Sequence, residues 1–389
     1  MNFRRWPLPD TILPKVLPLF ARLPTLGILT KERPQGGRAI AFRCLDGVVA
    51  RSVSPQTSPP CIPAISMRIL SDIQQIDDLA GGVVSIGNFD GIHRGHQAML
   101  GKLVEVAREL CVPAVAMTFD PPPVALIAPG KVPPRLTTLA RKGELMARLG
   151  IDSLLVYPTT REFLNLSPEE FFQRVIVEQL QACGMVEGQN FCFGKNRAGT
   201  SRELGQFCRK RSLQLEILPD ITLAGATISS TRIRQLIAQG LLEQANECLG
   251  HPYRLTGRVV SGAGRGRLLG FPTANLADVH TLVPLPGVYA GFSEINGETI
   301  PAAVHVGGNP TFAEEIHKIE VHLIGKQADL YDRELSVDLL ARCRDVHLFP
   351  DKEALQRQLR LDVEQVRRFV AARLPGLHDT PTLDLDETG

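Results

Sequence analysis

Hydrophobic and polar positions change their period along the chain, and the changes divide it. From Gly82 to about Gln239, short apolar runs alternate with stretches whose apolar residues recur every three or four positions. The runs Gly82–Ile86, Pro113–Phe119, Ser153–Val156, Gly184–Val186 and Gln214–Ile217 read as strands. Between them Gln97–Leu110, Thr138–Leu149, Pro168–Gln181 and Arg202–Arg211 read as helices; Met99, Leu103, Val106 and Leu110 give the first an apolar face. Ser167-Pro168-Glu169-Glu170 is a helix start, with serine as cap and glutamate three residues on. Such alternation predicts an α/β fold, a doubly wound parallel sheet whose ligands bind beyond the carboxyl ends of the strands.

Past Leu249-Gly250-His251-Pro252 the period becomes two. Tyr253–Val260, Gly287–Glu294, Thr299–Val306, Ile319–Ile324 and Leu335–Leu340 read as strands, with Asn296-Gly297 a two-residue hairpin turn. Strands in succession without helices predict an antiparallel β-barrel. A last amphipathic helix, with Leu355, Leu359, Val363, Val366 and Val370 on one face, is expected over the barrel's open side or the domain junction. Residues 1–66 follow neither pattern. Prolines such as Pro7, Pro14, Pro24 and Pro34 cut their apolar runs, and arginine and lysine outnumber acids. They are expected to be a disordered extension, with Met67 the working start; an arginine-rich targeting segment is the alternative. The expected domains are 67–248 and 249–375, with a disordered tail over 376–389.

Composition narrows the class. The 389 residues suffice for two cores, and 44% hydrophobic with 22% charged residues is ordinary for a globular protein. A net charge of +2 gives no general argument for nucleic acid or an anionic membrane as partner. The eight cysteines show no C-x-x-C spacing, which argues against a zinc site and for a reducing, cytoplasmic setting. No apolar run reaches the roughly 20 residues of a membrane helix.

Candidate chemistry gathers at four places. The turn after the first strand reads Gly87-Asn88-Phe89-Asp90-Gly91-Ile92-His93-Arg94-Gly95-His96. It enters a helix, whose unpaired N–H groups attract phosphate, and His93 and His96 beside it can donate to phosphate oxygens. Ile228-Ser229-Ser230-Thr231-Arg232-Ile233-Arg234 opens a second helix. Its hydroxyls and free N–H groups suit an anion, and Arg234 lies one turn inside; a plain serine-capped helix has the same pattern. Asn190, in Gly188-Gln189-Asn190-Phe191-Cys192-Phe193-Gly194, can donate and accept at a ring edge.

In the second half, the loop Gly262-Ala263-Gly264-Arg265-Gly266-Arg267 is glycine-rich and basic, as phosphate loops are. It runs through Gly270 into Phe271-Pro272-Thr273-Ala274-Asn275, where Thr273 and Asn275 supply oxygens of the kind magnesium takes. Glu320 alternates with apolar Ile319 and Val321, so it points away from their face. His305 and His322 are read as structural.

These segments resemble the bacterial bifunctional riboflavin kinase/FAD synthetase family from Met67 to about Ala372. The resemblance rests on Gly87–His96, Gly188–Gly194, Ile228–Arg234, Gly262–Leu276, Gly308–Phe312 and Glu320–Leu323. Pro122 departs from the pattern, standing in Phe119–Pro123 where the family often has histidine. The resemblance implies phosphorylation of riboflavin to FMN in the barrel, with Glu320 as base, Gly262, Gly264, Arg267 and Gly270 on ATP, and Mg2+ on Thr273 and Asn275. It implies adenylylation of FMN to FAD in the first domain, with His93 and His96 catalytic. Gly87, Asn88, Phe89, Asp90, Ser229, Ser230, Thr231 and Arg234 would then bind ATP, and Asn190 would sit in a flavin or nucleotide loop. The expected partners are riboflavin, FMN and ATP, and the expected state is a monomer or weak homo-oligomer. The alternatives are an adenylyltransferase for another phosphate ester beside a kinase of separate specificity, and a flavin-binding module with an inactive site.

Overall fold

The computed structural model describes residues 67–71, 80–309, 314–326 and 328–373; the expectations for 1–66, 376–389 and Pro310-Thr311-Phe312 lie outside them. Six parallel strands form the first sheet: β1 (Arg68–Leu70), β2 (Val83–Ile86), β3 (Ala114–Asp120), β4 (Ser153–Pro158), β5 (Gly184–Gly188) and β6 (Gln214–Leu218). Their order is β1-β4-β3-β2-β5-β6. The chain winds outward from β2 through α1 (Arg94–Glu109) and α2 (Leu139–Arg148). It then returns to the other side of β2 through α3 (Pro168–Phe171, continued as wide π turns over Phe172–Gln179) and α4 (Ser201–Arg211). The order therefore reverses between β2 and β5, where ligands of doubly wound sheets bind.

Both sheet faces are buried, which is why the strands read as continuous apolar runs. Val84, Met117, Leu155 and Met185 pack with Phe171, Ile176 and Leu204 on one face. Val83, Ala116, Leu154 and Val186 pack with Leu100, Leu103 and Met146 on the other. Beta2 and β5 pair only at Val83↔Gly184 and Val84↔Met185. Beyond that pair Glu187 Oε1 accepts the Ile86 N–H at 2.8 Å. Glu187 is 1% exposed, and burial pushes its carboxyl well above the usual range, so it serves as a neutral substitute for a ladder carbonyl.

Helices α5 (Ser230–Ala238) and α6 (Leu242–Leu249) lead to the barrel. Its strands are β7 (Tyr253–Val260), β8 (Ala274–Ala277), β9 (Gly287–Ile295), β10 (Glu298–Asn309), β11 (Glu314–Leu323) and β12 (Glu334–Arg344). They close in the order β7-β8-β11-β10-β9-β12, so no open side is left for a helix to cover. Helix α7 (Lys352–Arg373) instead lies on the outer face: Val366 and Val370 pack with Ala290, Phe292 and Leu340. Arg344, bonded through two nitrogens to the buried carboxylate of Asp362, fastens it there.

The junction is covered by α5 and α6. Ile233, Leu236, Ile237, Leu242 and Leu249 belong to one core with the barrel's Tyr253, Leu255, Val304, Val321 and Val337. The expected boundary at 248/249 thus runs through a single apolar cluster. An ion network centred on the buried Asp338 adds to it: Arg254 binds Asp338 at 2.8 and 2.6 Å and the exposed Glu144 at 3.1 Å, and Arg141 of α2 binds Glu144 at 2.8 Å. Two strands of the main sheet and the barrel escape the sequence pattern. Beta1 has three residues, and β8 has four inside a polar motif, too short for a period to register.

Candidate functional site

Two places bring the singled-out residues together. At the carboxyl end of β2 the turn is anchored by its apolar members. Phe89 and Ile92 are each 1% exposed and pack in the core under the sheet. Both hold left-handed backbone, at φ 45° and 38°, a strain that burial over-determines. Phe89 is therefore a core anchor, against the expectation of a nucleotide contact. His93 caps α1, and its Nδ1 accepts the His96 N–H at 3.4 Å. The two imidazoles stack with centroids 3.7 Å apart, and Phe89 meets His96 edge-on.

Burial holds His93 down to about 4 against a partial lift from Asp90. Burial, then His93 and Lys142, hold His96 well below its ordinary value. Both rings are neutral at pH 7, so each has one N–H to offer, and His96 Nδ1 is buried without a partner. Because His93 Nδ1 accepts, its proton belongs on Nε2.

Asp90 joins the first motif to the second. Its carboxylate accepts from Leu136 N at 3.0 Å, Thr137 N at 3.1 Å and Thr137 Oγ1 at 3.1 Å, and binds Arg234. Ser230 Oγ donates to the Asp90 carbonyl at 2.8 Å, Ser229 caps α5 through Arg232 N, and Thr231 is exposed. Arg234 Nε donates to the Pro134 carbonyl at 2.8 Å. The serines and Arg234 thus have partners within the protein, where the sequence suggested groups open to phosphate.

A cleft of about 660 Å³ lies beside this turn, walled by Asn88, Asp90, Thr118, Arg135, Lys142 and Arg234 together with Phe119, Pro122, Val124 and Val132. Lys142 carries no signal in the sequence, being a lone lysine in an amphipathic helix. Its Nζ donates to the Asn88 carbonyl at 2.6 Å and to Thr118 Oγ1 at 3.1 Å. Asn190 is exposed, bonded to Asp220 at 2.7 Å, and is not part of this wall.

The second place is a cavity between the barrel and α7. Ladder register explains its lining. Asn275 faces Glu320, Glu320 faces His305, His305 faces Val288, and Val288 faces Arg344. This row crosses five strands on the barrel's outer surface, and all five residues line the cavity with Gly264, Thr273, His322 and Asp362. Ile319 and Val321 point into the core, so Glu320 does point away from their face. His305 and His322 belong to the cavity wall, beyond a purely structural part. Burial lowers both, and His322 Nδ1 also meets the Pro272 carbonyl at 2.8 Å.

Arg267 and Gly270 line a different cleft, with Pro272, Thr273, Lys326 and Tyr331. Thr273 borders both spaces. Gly262 touches Asn275 so closely that an added Cβ would stand 2.1 Å from Nδ2. Thr273 and Asn275 offer a hydroxyl and a carboxamide oxygen beside the Glu320 carboxylate, a hard-oxygen set that fits magnesium.

The chain matches the FAD synthetase family over residues 75–232 and the riboflavin kinase family over residues 249–370. A relative from Escherichia coli (strain K12), named bifunctional riboflavin kinase/FMN adenylyltransferase, is 35% identical across 79% of this chain and 100% of its own length. One of the same name from Pseudomonas fluorescens is 36% identical across 75% of this chain and 94% of its own. A solved structure described as a macrolide-efflux protein from Streptococcus pneumoniae is 32% identical, covers 78% of this chain and 99% of its own, and has a TM-score of 0.69. No helix among the described residues is long and apolar enough to cross a membrane. The chain belongs to the bifunctional riboflavin kinase/FMN adenylyltransferase family, with the FAD synthetase part first and the riboflavin kinase part second.

Proposed function

We propose that the barrel phosphorylates riboflavin to FMN and that the sheet domain then joins FMN to the AMP part of a second ATP, releasing pyrophosphate. The row Asn275–Glu320–His305 carries the kinase reading, because register alone places a carboxylate between a metal-ligand type and an imidazole in one cavity. Glu320 accepts the proton of the ribityl 5′-hydroxyl as the γ-phosphoryl group transfers. Leu269, Phe271, Val288, Leu355 and Leu359 supply apolar wall for a flavin ring, and the neighbouring cleft with Arg267 and Lys326 suits ATP. Thr273, which borders both spaces, and Asn275 in the first would hold magnesium, which neutralises phosphate charge when bound. Gly262 and Gly264 let the loop backbone approach those phosphates.

In the sheet domain the FMN phosphate is already an anion, so no protein base is required. The residues position reactants and meet charge. His93 and His96 act as neutral donors. Asp90, Ser229, Ser230 and Arg234 build the pocket from behind. Gly87, Asn88 and Thr231 face the nucleotide at the strand end and the helix start, and Asn190 is left at the rim. We infer a cytoplasmic enzyme that takes small molecules, with domains near 67–248 and 249–375. Incubating the purified chain with riboflavin and MgATP and separating flavins over time tests both halves. FMN should rise first and FAD follow; FMN alone would remove the second activity.

A further inference from the structure

We propose that Lys142 is a further catalytic residue of adenylyl transfer, meeting the phosphate chain of ATP with its ammonium group. The inference deepens the reading of the cleft beside the β2 turn and rests on it. Three cations stand on the cleft wall: Arg135, Lys142 and Arg234. Arg234 is bonded to Asp90 and to the Pro134 carbonyl. Arg135 lies 3.1 Å from Asp120. Among the described residues Lys142 has no carboxylate within ion-pair distance, and the nearby Asp90 carboxylate is filled by Arg234, Leu136 and Thr137.

The two groups that do hold Lys142, the Asn88 carbonyl and the Thr118 hydroxyl, are neutral. They orient the ammonium and leave one of its three protons unclaimed. A partly buried cation with no directly paired carboxylate is costly. Burial brings Lys142 down to about 8; Asp90 and Asp120 oppose this and Arg135 reinforces it. A phosphate is the counter-charge this arrangement lacks. In the step, an FMN phosphate oxygen bonds to the α-phosphorus. The bond from that phosphorus to the bridging oxygen breaks, and its electron pair leaves with pyrophosphate. Lys142 keeps its protons and attracts the charge that gathers on the departing group.

The test uses the full chain with Lys142→Met and Lys142→Arg. Three rates are followed: FMN and ATP to FAD, FAD and pyrophosphate back to FMN and ATP, and riboflavin to FMN. Met should lower kcat/KM for FAD formation by about 10²–10³-fold and raise the KM for pyrophosphate in the reverse direction. Arginine should restore part of the loss, and riboflavin phosphorylation should be unchanged. Lys142→Gln, one bond shorter but still polar and uncharged, serves where Met prevents folding. Wild-type FAD formation in the Met variant overturns the proposal. So does an equal loss toward FMN and ATP with the pyrophosphate KM unmoved, which would make Lys142 only a brace for Asn88. A wild-type chain that makes FMN but no FAD would instead sink the adenylylation reading, and the proposal with it.

Discussion

Replacing Asp90 by alanine should cost the sheet domain its fold before it costs the site a ligand. The carboxylate takes the backbone N–H groups of Leu136 and Thr137, the Thr137 hydroxyl, and Arg234. Each stranded N–H costs about 1–3 kcal/mol. The pair with Arg234, whose side chains are both 16% exposed, adds about 1 kcal/mol after allowance for solvent. The sum is about 3–7 kcal/mol, a fall of roughly 6–28 °C in Tm at about 2–4 °C per kcal/mol. Asp90→Asn keeps an acceptor oxygen for the two N–H groups and should fall between alanine and wild type. Thermal melts of the three proteins, run beside FAD formation, decide the matter. If alanine melts with wild type yet makes no FAD, Asp90 touches substrate and the anchoring account is wrong.

Glu320→Gln should cut FMN formation by about 10²–10⁴-fold and leave FAD formation from supplied FMN unaltered; comparable losses in both would deny Glu320 its place as base. Gly262→Ala puts a carbon 2.1 Å from Asn275 Nδ2, so steady-state kinetics should show a raised ATP KM for the kinase and an unchanged adenylyltransferase. Glu187→Gln tests the neutral carboxyl between β2 and β5. Its folded pKa lies well above 4.5, so the folded state holds a proton the unfolded chain releases, and wild-type stability declines as pH rises above that value. The glutamine variant lacks this decline, so urea midpoints should favour it increasingly from mildly acidic to mildly alkaline pH; a constant difference would mean the carboxyl is not buried neutral.

Much of this was legible in the sequence because periodicity reports burial. Tyr253–Val260 alternates inward and outward as its spacing predicts, and the fully buried β2 reads as an unbroken apolar run. Cross-strand neighbours were not legible. That Glu320 stands opposite Asn275 depends on the register of β8 with β11, strands far apart in the chain. The motifs named Arg234 and Ser230 without showing that they spend their donors on Asp90. Phe89, flanked by polar residues, looked like part of a ligand loop, yet its side chain points into the core. Lys142 becomes visible only when α2 is laid against the end of β2.

Helix α5 presents Ser230 and Arg234 to one reaction and Ile233, Leu236 and Ile237 to the interior of the other domain. The two chemistries are separate, yet their scaffolds share one apolar interior. Cutting the chain after Gly250 would strip the far side of this helix and leave a greasy stump in water, so loss of the flavin kinase half should bring down the FAD-forming half as well. Intact protein should accordingly melt in a single calorimetric transition.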